Sequence, residues 1–402
     1  MSDTEPVRID DARWDRIVEL VGDSANVCYQ CGVCTAICPW GLFGTAGPNV
    51  RLLMRNAQLG LDDDKATEEA LWLCTTCGAC EEFCPRAVPV TDVIVGLRSL
   101  AFEERRAPER LEGVLWSLYE NGNPDGFPPS GRMAWAADLD LSPASPSSDC
   151  LVYFGSAACY DPRLQRIGRA FRRVLQAAEV NFGVLEDEPD SGDVVRLVGE
   201  QGYLEECIHA NLKTLEASGV HEIVTLSPHD YDMFKRIYPE HGGAFRVFHA
   251  TEYVAQLVAH EALGFAEDKP QRALYHDPCY LGRHHDVYDA PRQVLGAMPG
   301  LELVEFADSR ENALCCGGGG ARMWLETKAG ERFSDLRVQE AKELGIDLII
   351  TSCPYCIQMF EDSVRSLRVE GIEVRDVVEM AGAWGPHVPR QPPNIYEVCD
   401  FE

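Results

Sequence analysis

The chain has 402 residues, too many for one hydrophobic core, so two or three domains are expected. With 46% apolar and 25% charged residues it has the composition of an ordinary globular protein, which excludes disordered and fibrous classes. A formal net charge of −29 excludes nucleic acid as a natural partner and fits either a solvated acidic surface or a basic protein partner.

The first thirty residues are acidic and polar, with no basic segment leading into an apolar one, so no secretory signal is expected. No run of about eighteen apolar residues appears, so a cytoplasmic protein is expected, associated with a membrane only through a partner protein. The 17 cysteines then read as reduced metal ligands in preference to disulfides.

Residues 8–20 have the spacing of a short helix with Ile9, Trp14, Ile17, Val18 and Val21 on one face. Cys28, Cys31, Cys34 and Cys38 follow, then Pro39; Cys74, Cys77, Cys80 and Cys84 repeat the spacing before Pro85. This is C-x2-C-x2-C-x3-C-P written twice, the run that holds two [4Fe–4S] cubanes in bacterial ferredoxins. In that pattern the fourth cysteine crosses to the other cluster, which predicts one set of Cys28, Cys31, Cys34 and Cys84 and another of Cys74, Cys77, Cys80 and Cys38. The alternative for C-x2-C spacing is a pair of zinc sites. Gly32 and Gly78 leave room for backbone amides near sulfur. Between the halves lie an amphipathic stretch, Val50–Leu59, and the acidic turn Asp62, Asp63, Asp64. Residues 91–119 read as helix broken at Pro108, closing an α-helical bis-[4Fe–4S] ferredoxin-like domain over residues 1–120. Pro, Gly and Ser then accumulate over 121–149, the pattern of a linker.

After the linker the pattern is α/β. Apolar runs at Cys150–Phe154, Glu222–Leu226, Arg272–Tyr275 and Asp347–Thr351 read as buried strands. They alternate with helical stretches at Leu164–Ala178, Tyr203–Ala217, Thr251–Leu263 and Arg332–Leu344, which predicts parallel sheets covered by helices. The region also repeats itself. Cys279 precedes Cys315 by 36 residues, and Cys316 precedes Cys353 by 37; in the first copy Cys159 precedes Asp190 by 31, and Ser191 precedes Ser227 by 36. Cys315-Cys316-Gly317 is matched by Asp190-Ser191-Gly192, and C-P-Y-C at 353–356 by S-P-H-D at 227–230.

The set Cys279, Cys315-Cys316-Gly317 and Cys353-Pro354-Tyr355-Cys356 resembles the CCG domain, and the whole order resembles the heterodisulfide reductase D-type iron–sulfur proteins and their relatives. Those relatives include the K-type protein of a sulfite-reductase-linked membrane complex and the iron–sulfur proteins of glycolate and glycerol-3-phosphate dehydrogenases. The resemblance implies two Rossmann-like CCG repeats, a degenerate one over 150–268 and an intact one over 269–402. It implies that Cys279, Cys315, Cys316, Cys353 and Cys356 hold a noncubane [4Fe–4S] cluster able to bind and cleave a disulfide, fed by the two cubanes. A zinc site or a redox disulfide at C-x2-C is the alternative. Only Cys159 of the first copy's five positions is cysteine, so no cluster is expected there.

Two functions follow: a disulfide (or thiol) oxidoreductase, or a relay without a substrate of its own between a flavoprotein dehydrogenase and a cytochrome b-like, quinone-reducing membrane partner. No flavin or nicotinamide motif is present in the chain, and Gly317–Gly320 lacks the context of a dinucleotide fingerprint. Cys150, Cys159, Cys207 and Cys399 read as core or surface thiols. His276, His284 and His285 are candidate proton donors or structural histidines, and Arg283 and Arg322 candidate anchors for an anionic tail.

Overall fold

The computed structural model describes residues 9–61 and 65–389; the acidic turn at 62–64 and Cys399 lie outside the described residues. The N-terminal part is helical. Helix α1 (Asp11–Val21) starts where the Asp10 side chain accepts from Arg13 N, and it buries Ile17; Ile9 lies before the helix and is exposed. Helix α2 (Val50–Gln58) begins with Asn49 accepting from Leu52 N and buries Val50, Leu53, Met54 and Ala57. Helices α3 (Val90–Glu103) and α4 (Glu109–Asn121) are separated before Pro108, as a ring without an N–H requires.

The first α/β unit runs β1 (Cys150–Tyr153), α5 (Gln165–Ala177), β2 (Phe182–Gly183), α6 (Asp193–Val198), α7 (Gln201–Ser218), β3 (Glu222–Thr225), β4 (Arg246–His249), α8 (Ala250–Ala259) and β5 (Gly264–Phe265). The second runs β6 (Gln271–Tyr275), α9 (Asp289–Gly296), β7 (Leu301–Glu305), α10 (Phe333–Glu343), β8 (Leu348–Thr351), α11 (Pro354–Ser366), β9 (Glu373–Asp376), α12 (Val377–Ala383) and β10 (Pro386–His387). Each unit has a four-stranded parallel sheet, ordered β2-β1-β3-β4 and β7-β6-β8-β9, so the same topology occurs twice. Even the caps correspond: His249 with Glu252, and Asp376 with Glu379, form capping boxes at α8 and α12.

The two units dock reciprocally. Helix α12 of the second packs on α5 of the first, and α9 of the second on α8 of the first. Strands β5 and β10, which end the respective units, pair antiparallel. This exchange of equivalent elements describes a pseudo-twofold relation, and one apolar core, including Phe171, Val254, Val294 and Met380, runs across it.

The stretch 121–149 is not a free tether. Asn123, Trp135 and Ala136 are buried, the Trp135 ring meets Phe154 edge-on at 5.2 Å, and Pro143 bridges to Val184 beside β2. Its Pro, Gly and Ser make the backbone irregular, but its apolar side chains still cover the first unit. No helix among the described residues is long and apolar enough to cross a membrane.

Candidate iron–sulfur sites and their coupling

Two cavities in the N-terminal part divide its eight cysteines. One is lined by Cys28, Cys31, Cys34 and Cys84, with Met54, Val88 and Val90 among its apolar walls. The other is lined by Cys38, Cys74, Cys77 and Cys80, with Trp40, Leu53 and Val90. Cys38 and Cys84 thus each lie apart from the three cysteines that precede them in sequence. Val90 walls both cavities. Gly32 and Gly78, in left-handed conformation at φ 91° and 75°, start the one-turn helices Val33–Ala36 and Ala79–Glu82 that place the third thiol of each run. Backbone amides of Val88 and Thr76 donate to Cys84 and Cys74, both at 3.4 Å, and the Gln30 side chain donates to Cys28 at 3.6 Å.

The five downstream cysteines converge as well, and all are buried. Cys315 is in hydrogen-bonding contact with Cys279 and Cys316, and Cys356 with Cys316 and Cys353. The Gly317 amide donates to Cys315 at 3.3 Å. Cys353 is the N-cap of α11 with Pro354 at its first position, so its sulfur lies at the positive end of a helix.

The sites adjoin. Cys315 also contacts Cys77, and its thiol donates to Thr75 Oγ1 at 3.7 Å. The loop 74–78 is clamped onto the second unit from several sides. Arg283 donates to the Cys77 carbonyl at 2.7 Å and to the carbonyls of Glu311 and Ala313. His284 donates to Thr76 O at 2.9 Å, and Tyr280 shares a 2.8 Å hydrogen bond with Thr76 Oγ1. Arg98, fully buried in α3, donates to the carbonyls of Leu71, Cys74, Leu197 and Gly320. Gly319 and Gly320 press against this loop: a Cβ there would lie 2.5 Å from Thr75 O and 2.3 Å from Cys74 O. The glycine run therefore serves docking, a use the sequence did not disclose. Arg98 was also missed, having no motif around it.

His284 and His285 are structural. His284 stacks on Tyr280 at 4.2 Å, and burial lowers its pKa to about 4, so it stays neutral. His285 meets Asp232 at 3.0 Å. Burial alone would raise the Asp232 carboxyl, but hydrogen bonds from His285 and Arg236 hold it well below its ordinary range. His276 is buried with neither ring nitrogen hydrogen-bonded, and burial holds it neutral. Arg322 donates to Glu326 O and Thr327 Oγ1, and Arg283 to the carbonyls of Cys77 and Ala313, so both guanidinium groups are engaged within the fold. Burial by itself would lower Arg283; the neighbouring Cys77, Cys279 and Cys315 keep it raised, and it faces them as a cation.

The first unit's equivalent positions are filled by hydrogen-bonded polar groups. Ser191 donates to Asp230 at 2.5 Å, Ser156 to Asp190 at 2.5 Å, and Arg132 pairs with Glu188 at 3.2 Å, 3.9 Å from which stands the Cys159 thiol. Cys150 is buried and Cys207 half-buried.

The donor set suits iron–sulfur clusters. Burial pushes the thiols of Cys38 and Cys74 up to about 12 and about 11, so they ionise at neutral pH only beside strong positive charge. Soft sulfur donors, four to a cavity, with N–H groups aimed at sulfur, are what such clusters use.

Family models agree. One described as a 4Fe-4S dicluster domain matches residues 24–88, and one described as a cysteine-rich domain, CCG, matches 273–361. Over 384 residues the chain is 25% identical to the D-type component of dihydromethanophenazine:CoB–CoM heterodisulfide reductase from Methanosarcina barkeri, covering 88% of this chain and 92% of that one. The chain is a heterodisulfide reductase D-like iron–sulfur protein. This D-like chain is also 36% identical over 329 residues to the probable iron-sulfur-binding oxidoreductase FadF of Bacillus subtilis (79% of this chain, 47% of that one). It is 34% identical over 334 residues to the EtfAB:quinone oxidoreductase of Syntrophomonas wolfei (79% and 47%). It spans about half the length of these last two relatives.

Proposed function

We propose that this chain is the electron-transfer component of a larger redox complex, relaying electrons between a flavoprotein and a quinone-reducing membrane partner. Three groups of thiolates would hold its clusters: Cys28, Cys31, Cys34 and Cys84; Cys74, Cys77, Cys80 and Cys38; and Cys279, Cys315, Cys316, Cys353 and Cys356, the last as a noncubane centre. When bound, such clusters take up and release electrons one at a time.

The observation that carries the relay reading is burial. The five downstream thiols are only 1–7% exposed. An electron can reach a buried centre, whereas a disulfide must bring its sulfur atoms to it. Burial also runs in one direction. Cys31 is exposed, Cys77 is buried, and Cys77 touches Cys315, so the residues make a path from the surface inward. Arg283, the Thr76 and Gly317 amides and the buried surroundings would stabilise added negative charge along it. The name of the Syntrophomonas relative, EtfAB:quinone oxidoreductase, points the same way, and that of the Bacillus relative is of an iron–sulfur-binding oxidoreductase. Attachment to a membrane would come through the partner.

The intact five-cysteine set favours a second reading, reduction of a small or protein disulfide at that centre. The two separate in one experiment. Anaerobically purified protein carrying about twelve irons is mixed with reduced electron-transfer flavoprotein, and separately with a reduced viologen and a mixed disulfide. The relay reading expects cluster reduction by the flavoprotein and no thiol release. Thiol release on turnover, lost in Cys316→Ala, overturns it.

A further inference from the structure

Where the second unit has its cysteines, the first has buried carboxylates, and the two sites face each other. Asp193, at the start of α6, and Asp230, in the helix Pro228–Asp232, are both buried. Asp193 accepts a 3.3 Å hydrogen bond from the hydroxyl of Tyr355, the residue between Cys353 and Cys356. Asp230 accepts from Ser191. His229 lies alongside with 3% exposure, and its Nδ1, without a hydrogen-bond partner, points at Asp193 Oδ2 from 3.7 Å. Asp190, Glu188 and Asp232 add negative charge around the pair; Arg132 is engaged with Glu188, and Arg196 and Arg236 lie toward Asp92 and Asp232.

From this juxtaposition we propose that Asp193 and Asp230 form a buried proton-binding site that takes up one proton when an electron reaches the five-cysteine site next to it, with Tyr355 as the link between them. This rests on the reading that the five cysteines hold a redox centre. The balance is simple. One electron arrives from the side of Cys77, one proton enters from solvent, one carboxylate O–H bond forms, and net charge in the buried region is unchanged. Without the proton, the electron would add charge to a low-dielectric region already crowded with carboxylates, which is costly. Burial, and after it the neighbouring carboxylates, push Asp193 up to about 7 and raise Asp230 strongly as well. The unit without the thiols would then still serve the other site, by compensating its charge.

The test is a redox titration of the holoprotein by electron paramagnetic resonance at several pH values on either side of about 7, with infrared difference spectra on reduction. The expected result is a midpoint potential for the third centre that falls by about 59 mV for each tenfold fall in proton concentration, together with a protonated-carboxyl band appearing on reduction. Asp193→Asn should flatten the pH dependence and remove the band; Asp230→Asn, which keeps the Ser191 contact, serves if the first variant does not fold. A third centre with a pH-independent potential in the wild type and no carboxyl band overturns the proton site alone. Absence of a third centre overturns the functional reading and this inference together.

Discussion

His229 and Tyr355 occupy the same position in the two α/β units, and their rings touch, with centroids 4.7 Å apart. The pseudo-twofold relation thus passes between S-P-H-D and C-P-Y-C. His229 also stacks on Tyr280 at 4.0 Å, and Tyr280 on His284, so a ring stack runs from the first unit to the loop holding Cys77.

A pH dependence follows. Burial lowers His229 to about 3 and His284 to about 4, against an ordinary 6.5. The unfolded chain therefore binds these protons first. Their contribution is intact above 6.5 and is lost as pH falls toward 4, by up to about 1.4 kcal/mol per unit for each histidine. Glu81 works oppositely: burial raises it to about 7 from 4.5, so its term improves over that fall. Comparing variants isolates the histidine. His284→Gln, which keeps a donor for Thr76 O, should unfold in urea with a shallower loss of stability between about pH 6.5 and 4.5; identical slopes would mean His284 is not buried and neutral.

Arg98 joins the N-terminal part to both α/β units through four carbonyls. Arg98→Met removes the donors and strands buried acceptors, and should cost at least about 3 kcal/mol. Denaturant curves followed at visible wavelengths should show the clusters of the N-terminal part lost before the α/β signal. A single unshifted transition would place the coupling elsewhere.

Gly320 has φ 61° and its added Cβ would meet Cys74 O at 2.3 Å. Gly320→Ala should cost about 2–4 kcal/mol and push the loop away from Cys315. Magnetic coupling between the second and third centres should weaken. Gly330→Ala is the comparison, with nothing within 4 Å and a positive φ of its own; equal effects would show that strain, not the contact, is responsible.

Cys38 lines the cavity of Cys74, Cys77 and Cys80, not that of its own run. Cys38→Ala should remove the second cubane's signal and spare the first, lowering iron from about twelve to about eight per chain. Cys84→Ala should do the reverse. Loss of the first signal from Cys38→Ala would show ligation within each run.

Much of this was legible because thiol spacing and apolar runs are local signals. Strands β1, β3, β6 and β8 are largely buried and apolar, and they lie at the centres of the sheets. Edge strands were not: β2 is two residues long, and β4, β7 and β9 carry exposed or half-buried positions. The repeat of topology was readable from the matched motifs. The docking was not, since the contacts of Arg98 with Gly320 and of His284 with Thr76 span 222 and 208 residues. Nor did composition reveal that Trp135 and Arg132 anchor the stretch 121–149.

The interlocked ends, β5 against β10, α5 against α12 and α8 against α9, have a consequence for cutting the chain. Neither α/β half can be excised as a working fragment, because each would leave the survivor with bare apolar helices and a lone strand. A duplicated architecture of this kind can exchange the chemistry of one half for another purpose, yet it must keep that half's body in place.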